Sequence, residues 1–324
     1  MFAHFYIWFE ASSWNRAKID TPLIGRYSSD ESSVMEEQVI QAKAAGIDGF
    51  IVSWKSTDTL NERLTQLVRI AEKHDFKLAI TYQGLDFNRD PLPVARVAAD
   101  LDLLIERYAD SPAFHVGDRP IVAWTGTWDY STEDIASVTQ PRRDKLHILA
   151  TAKSVDDYQR VAGAVDGNLY YWSSVDPATN TGHVAKLAEM SAAVHANDGM
   201  WVAPVAPGFD ARLVGGKSVV ERENGETMRR EWSAAMASSP DMVGIISWNE
   251  FSENTQIEPS RAFGEYYLDV VRDLTETPVP RADFGSESEA DPTRYINLGV
   301  IGLFVALLVV CTVAVRRRVR EELP

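Results

Sequence analysis

The stretch IDGFIVSWKSTDTLNERLTQLVRIAEKHDFKLAITYQ, residues 47–83, sets an apolar run rich in β-branched and aromatic residues before a longer segment of helical periodicity, and then a second apolar run. Thr57 or Asp58 is placed to cap the helix between them. Such a strand–helix–strand unit predicts two parallel strands joined by a crossover. The same alternation continues in both directions along the chain. Candidate strands fall at residues 4–9, 49–54, 77–82, 120–124, 146–150, 168–172, 201–205 and 243–248. Helical candidates lie between and after them: SSVMEEQVIQAKAAG, with Ser33 as N-cap and Gly46 past the end, VARVAADLDLLIERYAD, VDDYQRVAGA, HVAKLAEMSAAVHAN, GETMRREWSAAMAS and AFGEYYLDVVRDL. Eight strands alternating with helices over residues 1–277 predict a (β/α)8 TIM barrel, a fold of typically about 250 residues. A doubly wound open sheet would want a Gly-rich phosphate turn after its first strand, and neither GxGxxG nor GxxxxGK[ST] occurs there.

Composition narrows the function. Of 324 residues, 45% are hydrophobic and 24% charged, enough apolar material for a sizeable core. Thirty-two basic against 47 acidic residues give a formal charge of −15, which repels phosphate backbones and argues against nucleic acid as a partner. One cysteine, Cys311, leaves neither an internal disulfide nor a Cys-based zinc cluster. The six histidines show no HxH or HExxH spacing, so no metal is expected and each reads as a surface or capping residue. No GxSxG turn marks a serine hydrolase, and no cofactor is implied.

The sharpest break in composition is C-terminal. Residues 296–315, INLGVIGLFVALLVVCTVAV, carry no charge and would span roughly 30 Å as a helix, the thickness of a bilayer core. Residues 278–295, largely PVPRADFGSESEADPTR, read as an acidic Pro/Ser-rich tether, and residues 316–324 as a basic juxtamembrane tail. Arg316, Arg317, Arg318 and Arg320 favour a cytoplasmic C-terminus, and so a single-pass membrane protein with its barrel outside the cell. The opening MFAHFYIWF reads as the first core strand and not as a signal sequence. Either a signal precedes this start, or the chain inserts as a tail anchor with its barrel in the cytoplasm.

In a barrel of this kind chemistry sits at the C-terminal ends of the strands. Trp8 and Glu10, Ser53 and Trp54, Tyr82 and Gln83, Trp124, Trp172, and Trp248, Asn249 and Glu250 fall at those ends. Aromatic faces there suit the C–H faces of a pyranose, with polar neighbours for its hydroxyls. Filling of barrel layers is the plainer alternative for any one of them. The densest signal is IISWNEFSENTQIEPS, residues 245–260, which delivers Asn249, Glu250, Glu253, Gln256 and Glu258 beyond the last strand. If that segment turns helically, Glu250 and Glu253 become neighbours. One pKa should then rise and the other fall, supplying the acid and the base that glycosidic cleavage needs.

WNEFSENTQIEPS resembles the NEWHEGTQIEP signature of glycoside hydrolase family 99, the retaining endo-α-mannosidase and endo-α-mannanase group, and of its family-71/99-like neighbours. AHFYIWFEASSW is similar to that family's aromatic first strand, IDGFIVSW to its second, and APGFDAR, residues 206–212, to its PGYDDR-type loop after strand seven. Ser252 and Asn254 depart from it, standing where the family has His and Gly. The resemblance implies a retaining endo-acting hydrolase of α-linked, α-mannosyl glycans. It makes Glu250 the base on the sugar 2-hydroxyl and Glu253 the general acid and base. Tyr6, Trp8, Trp54, Tyr82, Trp172, Asp210, Trp248 and Asn249 become candidates for lining the sugar subsites. A non-catalytic glycan-binding barrel and a polysaccharide-assembly enzyme are the alternatives.

Overall fold

The computed structural model describes residues 1–275, so the expected tether (278–295), membrane span (296–315) and basic tail (316–324) lie outside the described residues. Among the described residues no helix is long and apolar enough to cross a membrane. The chain forms the expected closed barrel of eight parallel strands: β1 (Phe2–Tyr6), β2 (Gly49–Trp54), β3 (Lys77–Gln83), β4 (Ile121–Thr125), β5 (His147–Ala150), β6 (Gly167–Leu169), β7 (Met200–Val205) and β8 (Met242–Ile245). Helices α1 (Ser32–Ala44), α2 (Asp58–Lys73), α3 (Val94–Tyr108), α4 (Thr132–Thr139), α5 (Val155–Val161), α6 (His183–His195), α7 (Glu226–Ala237) and α8 (Tyr266–Thr275) follow the strands in turn.

Three differences from the sequence expectation matter. The first strand starts two residues earlier than expected, and β1, β6 and β8 stop three residues short, at Tyr6, Leu169 and Ile245. The eight-residue α4 was absent from the expected helices; it is too short for its apolar period to stand out. In helix α1 the N-cap position falls on Glu31, whose side chain makes no capping bond, and not on Ser33, which sits inside the first turn, whereas Thr57 does cap α2 by accepting from the Leu60 amide at 3.4 Å.

Strand side chains alternate between two layers, as period-2 geometry requires. Phe2, Ile51, Ala79, Ile121, Ala123, Leu149, Leu169 and Val202 fill the barrel interior. Phe5, Phe50, Val52, Trp54, Ile80, Tyr82, Val122, Trp124 and Trp201 point the other way and pack with the helices. The start of β2 shows how tightly the strands approach: a Cβ on Gly49 would stand 2.3 Å from the Phe2 ring and 2.4 Å from the Lys77 carbonyl oxygen.

The barrel closes between β1 and β8 through only two register pairs, Phe2 with Gly244 and Ala3 with Ile245, against five between β1 and β2. Beyond that short ladder the seam is continued by the segment after β8. The Trp248 amide donates to the His4 carbonyl at 2.8 Å. Asn249 then bonds the Tyr6 backbone twice, accepting from its N–H at 2.9 Å and donating to its C=O at 3.0 Å, with a further bond to the Tyr27 hydroxyl at 3.2 Å. Fully buried Asn249 thus does the work of a strand residue with its side chain.

Glu258 anchors the far end of the same segment. Its carboxyl accepts from the Tyr27 hydroxyl at 3.0 Å and from the Gln38 amide of α1 at 2.7 Å, and burial pushes its pKa up to about 8.

Asn249→Ala leaves both Tyr6 backbone groups without partners in a site closed to water. It should cost about 2–4 kcal/mol of unfolding free energy, read from the urea midpoint; an unchanged midpoint would remove the clamp from the account. For Glu258, the folded chain keeps a proton that the unfolded chain releases between its ordinary pKa of 4.5 and about 8. Stability should therefore fall as pH rises through that window. Glu258→Gln should shrink this dependence, narrowing the gap between the Tm values at pH 5 and pH 8 to the part that Glu250 and Glu253 contribute, and a slope undiminished in the variant would rule Glu258 out as a contributor.

Candidate active site

A cavity of about 340 Å³ opens at the C-terminal end of the barrel. Its floor is made by strand residues one layer above the apolar interior: Ser53 of β2, Thr81 of β3, Thr125 of β4 and Thr151 just past β5. Small hydroxyl side chains at this level stop the core and leave room above it. The walls come from strand ends and loops, with Tyr6 at the end of β1 and Trp8 beyond it, Tyr170 and Tyr171 after β6, and Glu250 and Glu253 after β8.

The segment after β8 is folded on itself and is not helical. The Ser247 amide donates to the Thr255 carbonyl at 2.8 Å, the Ile257 amide to the Ser247 carbonyl at 2.9 Å, and the Glu250 amide to the Ser247 hydroxyl at 2.8 Å. Asn254 takes the left-handed region at φ +50°, where the related signature has Gly and where Asn is among the better-tolerated side chains. Asp210, in the loop after β7, donates its amide to the Glu253 carbonyl at 2.7 Å. Buried Arg222 donates to the Asn254 and Gln256 carbonyls at 2.9 and 2.8 Å, and its guanidinium stacks on Phe263 and Tyr267. No sequence motif marked Arg222.

This turn brings both carboxyl groups into one cavity in unlike settings. Glu250 is 8% exposed and accepts from the Ser252 amide at 2.9 Å; Lys18, which donates to the Ser252 hydroxyl at 3.0 Å, adds a favourable charge. Burial nevertheless raises its pKa above the usual carboxylate range. Glu253 is half-buried and has no hydrogen-bond partner for its carboxyl among the described residues. Burial first, and then the nearby Glu250 charge, push it up to about 7. The expectation that one pKa rises and the other falls is corrected: both rise, because desolvation acts on both and exceeds the help that Ser252 and Lys18 give to Glu250.

Tyr6 and Tyr171 stand beside the pair, hydroxyl to hydroxyl at 2.7 Å, and Trp8 packs on Tyr6 with ring centroids 4.4 Å apart while keeping 41% of its surface exposed. His4 also lines the cavity, edge-on to Tyr171 at 5.0 Å, and burial drives its pKa down to about 3, so its imidazole is neutral. The expectation that every histidine is a surface or capping residue fails here. It fails again at His183, buried between α6 and α7 at 3.3 Å from Glu231.

Of the sugar-lining candidates, Tyr6 and Trp8 lie in the cavity wall. The others do not, for local reasons. Trp54 and Tyr82 have the outward parity of their strands; Trp54 donates to Asn61 of α2 at 3.0 Å and Tyr82 to Asp100 of α3 at 2.9 Å. Trp248 is fully buried against Phe50, and Asn249 is consumed by the Tyr6 backbone. Asp210 is held by Arg212 and supports the Glu253 backbone from outside the cavity. Trp172 lies beyond the end of β6 and packs on His183 and Lys186 of α6, which leaves Tyr170 and Tyr171 at the strand exit. Arg89, Trp128 and Lys153, from the loops after β3, β4 and β5, line the cavity without having been singled out in the sequence. Among the described residues no group of three or more His, Cys, Asp or Glu is placed to hold a metal ion.

Comparison with known proteins agrees with this architecture. The barrel superposes on the endo-alpha-mannosidase from Bacteroides thetaiotaomicron with a TM-score of 0.72 at 18% identity, over 85% of this chain and 96% of that one. Among curated proteins, the glycoprotein endo-alpha-1,2-mannosidase of Rattus norvegicus is 25% identical over 276 residues, 76% of this chain and 59% of the rat protein. The glucan endo-1,3-alpha-glucosidase of Schizosaccharomyces pombe is 24% identical over 240 residues, 68% of this chain and 53% of the yeast protein. The chain thus spans somewhat more than half the length of the curated relatives it matches. The profile of glycosyl hydrolase family 99 matches residues 17–276, most of the barrel and the whole segment after β8. The chain belongs to glycosyl hydrolase family 99.

Proposed function

We propose that the protein is a retaining endo-acting glycoside hydrolase of α-linked glycans, with α-mannosyl linkages as the first expectation from its mammalian relatives. The observation that carries this reading is the placement of Glu250 and Glu253 in one cavity, both proton-hungry and electrostatically coupled. Glu250, the better stabilised as a carboxylate, removes the proton from the sugar 2-hydroxyl. That oxygen attacks the anomeric carbon, while Glu253 gives its proton to the departing glycosidic oxygen and the C–O bond breaks. Water, deprotonated by Glu253, then opens the 1,2-anhydro sugar at the anomeric carbon, and Glu250 returns its proton to O2. Two displacements retain configuration, and the protein forms no bond to the sugar. Tyr6 and Trp8 offer hydroxyl and ring surface to the bound glycan.

The assignment requires Glu250 ionised and Glu253 protonated. kcat/KM should therefore fall on the acid side at a pH above the ordinary carboxylate value, and on the alkaline side near pH 7. Release of reducing sugar from an α-mannan or α-glucan, and its loss by about 100-fold or more in Glu253→Gln, would be the signature in a product assay. Binding without release would return the glycan-binding barrel, and transfer to a sugar acceptor in preference to water the assembly enzyme.

The uncharged run at residues 296–315 with its following arginines supports a single membrane span that tethers the barrel outside the cell. Expressed from its own gene in whole cells, the chain should sediment with membranes and expose its barrel to added protease. A soluble chain, or a membrane-bound one that protease cannot reach, would overturn tether and orientation respectively.

A further inference from the structure

The cavity has a second electrical pole that the hydrolytic scheme does not use. Strand order places β4 four strands from β8 in either direction, so the loops after β3, β4 and β5 lie across the mouth from the glutamates. Those loops supply Arg89, Trp128 and Lys153 to the lining. Both cations are exposed, and neither forms an ion pair among the described residues; the Lys153 ammonium instead sits 3.6 Å from the centroid of the Trp128 ring. Uncompensated cations concentrated in a cleft bias it toward anions, since the low-dielectric walls focus their field.

Local structure displays them. Residues 85–91 form a tight turn in which Asp86 is occupied by the Asn88 and Asp90 amides at 2.8 and 2.9 Å, leaving Arg89 at its tip in the left-handed region at φ +70°. After β4, Gly126 turns at φ +98° into a short 3-10 segment that presents Trp128 half-buried. A half-exposed ring with the Lys153 ammonium on one side, in a cavity that Arg89 also lines, offers its remaining surface to a sugar together with charge-assisted donors for an acidic group on it.

We propose that this cleft selects glycans carrying an anionic substituent, a phosphate ester or a uronate carboxylate, on the sugar unit that stacks on Trp128, with Arg89 and Lys153 clamping the anion. The proposal deepens the glycan-hydrolase reading and rests on it for the cleft being a sugar site. Neutral hydroxyls would need donors and acceptors but no cations. An anion across the cleft from the glutamates also keeps its charge away from them.

The test is an NMR titration of the full chain with mannose, mannose 6-phosphate, glucuronic acid and inorganic phosphate. At least one acidic sugar should bind about tenfold more tightly than mannose, the scale of a charge-assisted hydrogen bond, and added salt should erode that advantage. Whichever acidic sugar shows it identifies the substituent. The Arg89→Gln/Lys153→Gln double variant should lose the advantage and bind acidic and neutral sugars alike, while its folded state is checked by its Tm, since both side chains are exposed. Equal affinity for neutral and acidic sugars, an advantage that survives in the double variant, or competition by inorganic phosphate as effective as by the sugar phosphate would each overturn the proposal. Failure of the hydrolase reading looks different: no substrate is cleaved by the unaltered chain, whatever the titration shows. A Glu253→Gln chain that loses turnover yet retains the acidic preference would support both.

Discussion

The architecture turns on how the barrel is shut. A closed sheet must pair its last strand with its first, and here the β1–β8 ladder spans only two residue pairs before β8 ends. The Asn249 side chain takes over, satisfying the N–H and the C=O of Tyr6 from one amide. Because Glu250 is the next residue, the bond that seals the wall also fixes where Glu250 enters the cavity lining. Stability and chemistry are therefore coupled through a single planar group, flanked by Tyr27, which in turn holds Glu258.

Much of this was legible in the sequence, and the misses have local causes. Eight strands, seven of the eight helices and the importance of the segment after β8 follow from apolar runs, periodicity and the density of polar groups. Which strand residues face the cavity does not, since a run such as GFIVSW is apolar on both faces and its parity is set by the neighbouring layers. Choosing tryptophans at strand ends therefore selected Trp54 and Trp248 for a cavity they do not line. The true floor, Ser53, Thr81, Thr125 and Thr151, carries small side chains that stand out in no composition count. Trp172 was placed in the rim because β6 was read three residues too long. Asn249 and Asp210 were expected to line sugar subsites, but Asn249 is taken by the Tyr6 backbone and the Asp210 carboxyl by Arg212, with its amide on the Glu253 carbonyl.

The electrostatics of the site likewise follow from burial more than from pairing. Two neighbouring carboxyl groups in water would differ mainly through repulsion; withdrawn into a cavity, both move toward the neutral form. The Ser252 amide and Lys18 then favour charge on Glu250. Glu253, with no donor to its carboxyl among the described residues, keeps its proton to near neutrality.

The separation of the two side-chain layers has an evolutionary side. Tryptophans such as Trp54, Trp124, Trp201 and Trp248 are locked between barrel and helices, where any exchange opens a void or a clash. Trp8, Arg89, Trp128 and Lys153 hang from loops at the cavity mouth, outside the layer packed between strands and helices. Descendants of this chain can thus drift toward new sugars by trading rim residues one at a time, with the scaffold indifferent to each step.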